Sequence, residues 1–290
     1  MSDLIREISL HSGIDLQCTD EAVRLAAKQP IHLRTHSQEA AYFLKVGSKN
    51  DVNRFVAEAR GLELIALTNT IHTPEVFSVG NAGDNAYILM EFIDMGPQTS
   101  HSALELGKQL ASMHKTTTNS FGLNQTNWIG LTKQFNKQET DWVVFYRDQR
   151  LLPQLELAYS KGYTTALEEK ATNLLNNLNV FFEDYSPVPS LLHGDLWSGN
   201  WGTFCNKKPV IFDPAVYYGD READIAMTLL FGGFSQEFYE SYSSVWPISP
   251  GFKIRQDLYN FYHVLNHLNI FGSSYLLQSE NLLDKLISKL

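Results

Sequence analysis

Leu191–Asn200 reads L-L-H-G-D-L-W-S-G-N, with a histidine, an aspartate two positions on and an asparagine five beyond that. Histidine, one residue, aspartate, four residues, asparagine is the catalytic-loop spacing of phosphoryl-transfer enzymes. Such transfer needs little covalent help. It needs an acceptor hydroxyl aimed at a carboxylate, and cations that hold a polyphosphate and offset its charge. Asp195 is the expected base that accepts the hydroxyl proton. Asn200 is an expected metal ligand, since its neutral oxygen suits magnesium, a hard cation that prefers oxygen. Asp213, ending V-I-F-D-P-A eighteen residues after Asp195, is the second expected metal ligand and could bridge metal and phosphates. Singly, Asp and Asn beside Gly often only make turns; the ordered set is the signal. His193 either holds the loop through backbone hydrogen bonds or moves a proton, and the first role is expected.

Lys45 lies in the apolar strand A-Y-F-L-K-V. An inward-pointing charge there requires a partner, and Glu58 in the helix F-V-A-E-A-R-G-L is the natural one. A strand lysine paired with a helix glutamate aims an ammonium at nucleotide phosphates. The alternative is an edge-strand lysine that discourages aggregation.

The elements around these residues fall into two groups. Residues 3 to 12 and 20 to 28 read as short helices, 41 to 46 as a strand, and 51 to 66 as a helix with Val52, Phe55, Ala59 and Leu62 on one face. P-E-V-F-S-V-G-N-A-G-D-N-A-Y-I-L-M-E-F-I reads as two strands about a turn. After Asp94 the pattern is mostly helical: a helix ending near His114, another through W-V-V-F-Y-R-D-Q-R-L-L-P-Q-L-E-L-A, and one over 165 to 182. Then S-L-L-H-G-D and P-V-I-F-D-P form a β-rich island, and helices resume from about Glu222. Two parts follow, residues 1–93 for nucleotide binding and 94–290 for catalysis and the acceptor, with a hinge near 91–95.

The 290 residues carry a net charge of -9, which lacks the basic footprint that nucleic acid or an anionic membrane needs. Two cysteines, Cys18 and Cys205, exclude a disulfide framework. No run approaches a membrane span, and M-S-D-L-I-R-E-I-S-L lacks a signal peptide's apolar core. A cytoplasmic enzyme is the expectation, with neither a nucleic-acid nor a membrane partner.

From about residue 40 to the C-terminus the chain resembles the fructosamine kinase (ketosamine 3-kinase) family, a branch of the aminoglycoside-phosphotransferase-like kinases. The resemblance is carried by F-V-A-E-A-R-G-L, Y-I-L-M-E-F-I, L-G-K-Q-L-A-S-M-H, D-W-V-V-F-Y-R-D-Q-R-L-L-P-Q-L, L-L-H-G-D-L-W-S-G-N, D-P-A-V-Y-Y-G-D-R-E-A-D-I-A-M-T and L-Y-N-F-Y-H-V-L-N-H-L. H-G-D and the Lys–Glu pair are shared by many small-molecule kinases; the Trp197 form of the loop and Y-Y-G-D-R-E-A-D are closer to this branch. The resemblance implies an α+β protein-kinase-like two-lobed fold, with a small N-terminal antiparallel sheet lobe carrying one main helix and a larger, mostly helical C-terminal lobe. It implies a phosphotransferase with an alcohol group as acceptor, moving the γ-phosphoryl of ATP, with Mg2+, to the 3-hydroxyl of a ketoamine. By the family pattern the hinge backbone near Glu91 and Ile93 takes the adenine. Trp197 is either a platform for the sugar-amine or a loop-anchoring core residue. Asp220 and Asp224 would bond the catalytic loop from a helix N-terminus, and Phe121–Gly130 and Asn136 would lie on the acceptor side. One departure stands out: no glycine lies between Gly13 and Gly47, where the family carries a glycine-rich turn over the phosphates. Backbone amides, Thr35 and Ser37 are left to do that work. Two other readings stay open: a kinase of the same fold acting on an aminoglycoside, choline or sugar, and a kinase-like binding module with weak turnover.

Overall fold

The structure, a computed structural model, describes residues 2–17, 31–36, 41–204 and 208–290, with 31–36 as backbone. The helix expected over 20–28, both cysteines, Ser37 and the Thr35 side chain lie outside what is described. The chain divides into two compact units: Met1–Ser102 together with Gly202–Asp213, and Ala103–Trp201 together with Pro214–Leu290. The first thus takes in a segment that a division at 93/94 gives to the second part.

In the first unit a four-stranded antiparallel sheet runs in the order β1-β2-β4-β3, from β1 (Ile31–His36), β2 (Ala41–Ser48), β3 (Val76–Ala82) and β4 (Asn85–Glu91). Gly83, at φ +55, supplies the left-handed residue of the β3–β4 turn. Side chains alternate across β2, and the two faces have different partners. Tyr42, Leu44 and Val46 pack with Tyr87 and Leu89 against Ile5 and Ile8 of α1 (Ser2–Ser12). On the other face Ile88 and Met90 meet Phe55 and Leu62 of α2 (Val52–Ala66). Each buried Leu or Ile contributes roughly 1.5–3 kcal/mol. Lys45 is odd in this alternation, so it shares the α2 face with Phe43.

The second unit is mainly helical. It holds α3 (Ser100–His114) from Ala103 on, a short hairpin of β5 (Asn127–Ile129) and β6 (Thr132–Gln134), and α4 (Trp142–Tyr146), which runs through a π-turn at Arg147–Leu151 into α5 (Leu152–Ser160). The π-turn has a local cause. Pro153 has no N–H, so it cannot bond the Gln149 carbonyl, and Arg150 Nη1 donates to that carbonyl instead at 2.9 Å. Asp141 caps α4 by accepting from Val144 N at 2.9 Å. Then come α6 (Thr164–Asn176), β7 (Ser190–Leu192), β10 (Tyr217–Gly219), α7 (Glu222–Leu230), α8 (Gln236–Val245), α9 (Phe252–Phe271) and α10 (Leu276–Ile287), around a core that includes Trp142, Phe145, Leu192 and Leu265.

The β-rich island is not one sheet. β7 pairs with β10, whereas β9 (Lys208–Ile211) pairs with β8 (Trp201–Phe204). The strands leading to Asp195 and to Asp213 therefore belong to separate ladders.

Candidate active site

Within the first unit, β2 and α2 bring Lys45 and Glu58 together, with Nζ 2.6 Å from Oε1. Strand alternation turns Lys45 toward α2, and Glu58 lies one turn along from Phe55 on that helix. Lys45 also forms an ion pair with Asp213, which the sequence did not disclose. Burial works to lower the Lys45 ammonium, but the charges of Glu58 and Asp213 outweigh it and hold it above its ordinary value. Burial pushes the Glu58 carboxyl up, against the pull of Lys45. Two carboxylates thus share one ammonium, leaving a local excess of negative charge that a metal ion would offset. Asp213 stands at φ 57, a left-handed conformation, and its side chain is 42% exposed, so it remains accessible.

A cavity of about 520 Å³ opens beside this pair, lined by Phe43, Met90, Ile93, Phe212, Lys45 and Asp213 among others. Mostly apolar walls, with Lys45, Glu91, Asp94 and Asp213 as the charged residues among them, suit a nucleotide base with its phosphates. Glu91 N donates to Glu75 O at 2.8 Å, and the Glu91 carboxylate lies 3.1 Å from His72 Nε2. The Glu91 side chain is thus engaged in bracing the strand end. Ile93 lines the cavity, and no backbone–backbone hydrogen bond ties it to another described residue.

The second unit holds the loop His193–Asn200. Its backbone is fixed by Asp224 of α7, whose Oδ2 accepts from His193 N at 2.7 Å and whose Oδ1 accepts from Gly194 N at 2.8 Å. Gly194 is at φ +83, and a Cβ there would sit 2.1 Å from Ala215 O, so only glycine fits. The His193 carbonyl accepts from Ala215 N at 2.8 Å, and its Nδ1 accepts from Asp195 N at 3.3 Å. These are loop-holding bonds, the first of the two roles expected for His193. Asn200 Nδ2 donates to Asp195 O at 2.8 Å. That bond orients the buried amide and leaves Oδ1 without a described partner.

Trp197 is 40% exposed, with its ring packed over Gly199, where a Cβ would meet the indole at 2.1 Å. It is a surface ring rather than a core anchor. Asp224 bonds the loop as expected, but Asp220 does not. It takes hydroxyls from Tyr259 at 2.5 Å and Tyr185 at 2.9 Å and the Glu222 amide at 3.0 Å. Glu222 in turn binds buried Arg255 through two bonds, at 2.7 and 3.1 Å. Asn136 is buried and bonded to Arg150 Nη2 at 2.7 Å, and Phe121 is in the core, so both brace the unit rather than face an acceptor.

Among the described residues no cluster of three or more His, Cys, Asp or Glu is arranged to hold a metal ion. Magnesium does not need one, because it keeps waters and binds through one or two protein oxygens plus phosphates. In the first unit the exposed Asp213 carboxylate offers such an oxygen; in the second, Asn200 Oδ1 has no described partner.

The fructosamine kinase family profile matches residues 7–289. A chloroplastic protein-ribulosamine 3-kinase of Arabidopsis thaliana is 40% identical over 97% of this chain and 87% of its own. A protein named "Probable ketoamine kinase" of Vibrio parahaemolyticus is 41% identical over 86% of both chains. A crystal structure of a protein assigned as a fructosamine-3-kinase from Haemophilus somnus 129PT superposes with a TM-score of 0.88 at 25% identity, covering 98% of this chain and 97% of that one. The fold is accordingly the α+β protein-kinase-like one, and the chain belongs to the fructosamine kinase family.

Proposed function

We propose that the protein transfers the γ-phosphoryl group of ATP, with magnesium, to the 3-hydroxyl of a ketoamine, the Amadori product of an amine with glucose or ribose. The observation that carries this reading is the buried Lys45 ammonium, held by Glu58 and Asp213, in the wall of a largely apolar cavity. Lys45 would bind the nucleotide phosphates, with Glu58 aiming it. Ile93, which also lines the cavity, would hydrogen-bond the adenine through its backbone. Asn200 and Asp213 would hold magnesium, which supplies positive charge against the polyphosphate. Asp195, fixed from both sides by the His193 and Asn200 bonds, would orient the acceptor hydroxyl and accept its proton. Trp197, exposed two residues after Asp195, would offer a ring face to the sugar or its cationic amine, a contact worth roughly 0.5–2 kcal/mol. The named relatives, a ribulosamine 3-kinase and a ketoamine kinase, support the acceptor class. A cytoplasmic setting fits the net charge of -9 and the absence, among the described residues, of a helix able to cross a membrane.

The test is ATP consumption with fructose-lysine, ribulose-lysine, kanamycin and choline, with and without magnesium. Magnesium-dependent turnover confined to the two ketoamines is expected. Preferred turnover of kanamycin or choline would place the protein with other acceptors.

A further inference from the structure

We propose that His114 is a positioning residue of the reaction, the link in a directed hydrogen-bond relay that fixes the catalytic loop. It ends α3, far in sequence from the loop, and is fully buried. With the His114 imidazole neutral, the bonds run in one direction. The Arg221 guanidinium only donates, so Tyr242 Oη accepts from Arg221 Nη1 at 3.1 Å. The tyrosine's one proton is then free for His114 Nδ1, 2.8 Å away. With Nδ1 accepting, Nε2 carries the ring proton and donates to Asp224 Oδ2 at 3.1 Å. Asp224, an acceptor only, takes the His193 and Gly194 amides on its two oxygens.

The relay therefore ends on the two peptides that precede Asp195, and each member is matched donor to acceptor in a site closed to water. Burial works to raise the Asp224 carboxyl, but the bonds from His114 and Gly194 help to outweigh it and hold it below its ordinary value. The carboxylate stays charged, as an acceptor of two amides must. Asp224 touches the loop directly, whereas His114 acts through Asp224, by fixing which way its carboxylate plane faces. Outer partners that orient metal ligands are worth about 10- to 100-fold in affinity or activity, and the lower end of that range is the effect expected for a residue that orients a catalytic loop.

The proposal rests on Asp195 as the base, and the experiment separates the two. His114→Gln keeps an N–H donor at the Nε2 position. His114→Asn places its amide at the Nδ1 position and loses the donor to Asp224. Each is assayed in the full chain with ATP and fructose-lysine, alongside Asp195→Asn, and the His193 and Gly194 amides are followed by hydrogen exchange. Expected is a fall in kcat of about tenfold or more for His114→Asn, with KM for ATP within twofold, faster exchange at both amides, and recovery of both in His114→Gln. Equal kcat and equal exchange in the two variants overturns the proposal while Asp195 stands. Near-full turnover in Asp195→Asn overturns the base assignment, and this proposal with it. If His114→Asn fails to fold, His114→Gln with Tyr242→Phe decides the matter: unchanged amide exchange in Tyr242→Phe overturns the relay, and faster exchange with lowered kcat supports it.

Discussion

At the residue scale the sharpest contrast is between Asp195 and Asp213. Asp195 lies on a loop held by backbone bonds, and its proposed task is proton acceptance from the acceptor. Asp195→Asn should therefore leave nucleotide binding nearly intact and lower kcat by at least about 100-fold, as loss of a positioned base does. Titration calorimetry beside steady-state kinetics checks both halves. Asp213 is instead tied to Lys45, and Asp213→Ala should abolish magnesium-dependent nucleotide binding. Lys45→Met should raise KM for ATP and lower kcat together; a variant that unfolds while its folded fraction keeps full specific activity would make Lys45 structural. His263 gives a prediction about pH. It is buried in α9 with Nδ1 lacking a described partner, and burial pushes its imidazole down to about 3. The unfolded chain binds that proton at about 6.5, so between pH 6.5 and 3 unfolding takes up a proton and stability falls as pH falls, by at most ~1.4 kcal/mol per pH unit. Denaturant melts from pH 7 to 5 should show a flatter dependence for His263→Gln than for the wild type.

At the element scale, what the sequence disclosed and what it hid follow from the range of the interactions. The helix over 51 to 66, the hairpin about Gly83 and the helix ending at His114 were legible because periodicity and turn residues are local signals. The Lys45–Glu58 pair was legible too, being thirteen residues apart across one strand and one helix. The π-turn at Arg147–Leu151 was not, although Pro153 pointed to a lost hydrogen bond. Nor was the splitting of the β-rich island, because short apolar runs such as S-L-L and P-V-I do not encode which strand they pair with. The His114–Asp224 bond spans 110 residues and leaves no local trace. Gly194 shows how tightly the loop is fitted. Gly194→Ala would put a Cβ into Ala215 O at a positive φ, so it should lower kcat and shift the thermal midpoint down by several degrees, the response to a loss of about 1–3 kcal/mol. Equal activity and midpoint to wild type would show that the loop relaxes without cost.

At the scale of the whole molecule the sequence foresaw the fold and the family through shared motifs, while the boundary between units was finer than composition can resolve. Residues 202–213 return to the first unit and carry Asp213 to Lys45, and no composition shift marks that return. The glycine-poor stretch before β2 has a molecular consequence. With no glycine between Gly13 and Gly47, ATP should be held mainly by the cavity near Ile93, by Lys45 and by magnesium, and calorimetry should show modest affinity that collapses in EDTA. The central claim is narrower than kinase activity: it concerns which hydroxyl receives the phosphate. Asp195 can accept a proton only from the hydroxyl presented within about 2.6–3.2 Å, so regiochemistry reports placement directly. The decisive measurement is NMR of the product formed from ATP and fructose-lysine, which should carry phosphate on the 3-hydroxyl alone; phosphate on any other hydroxyl would contradict the account.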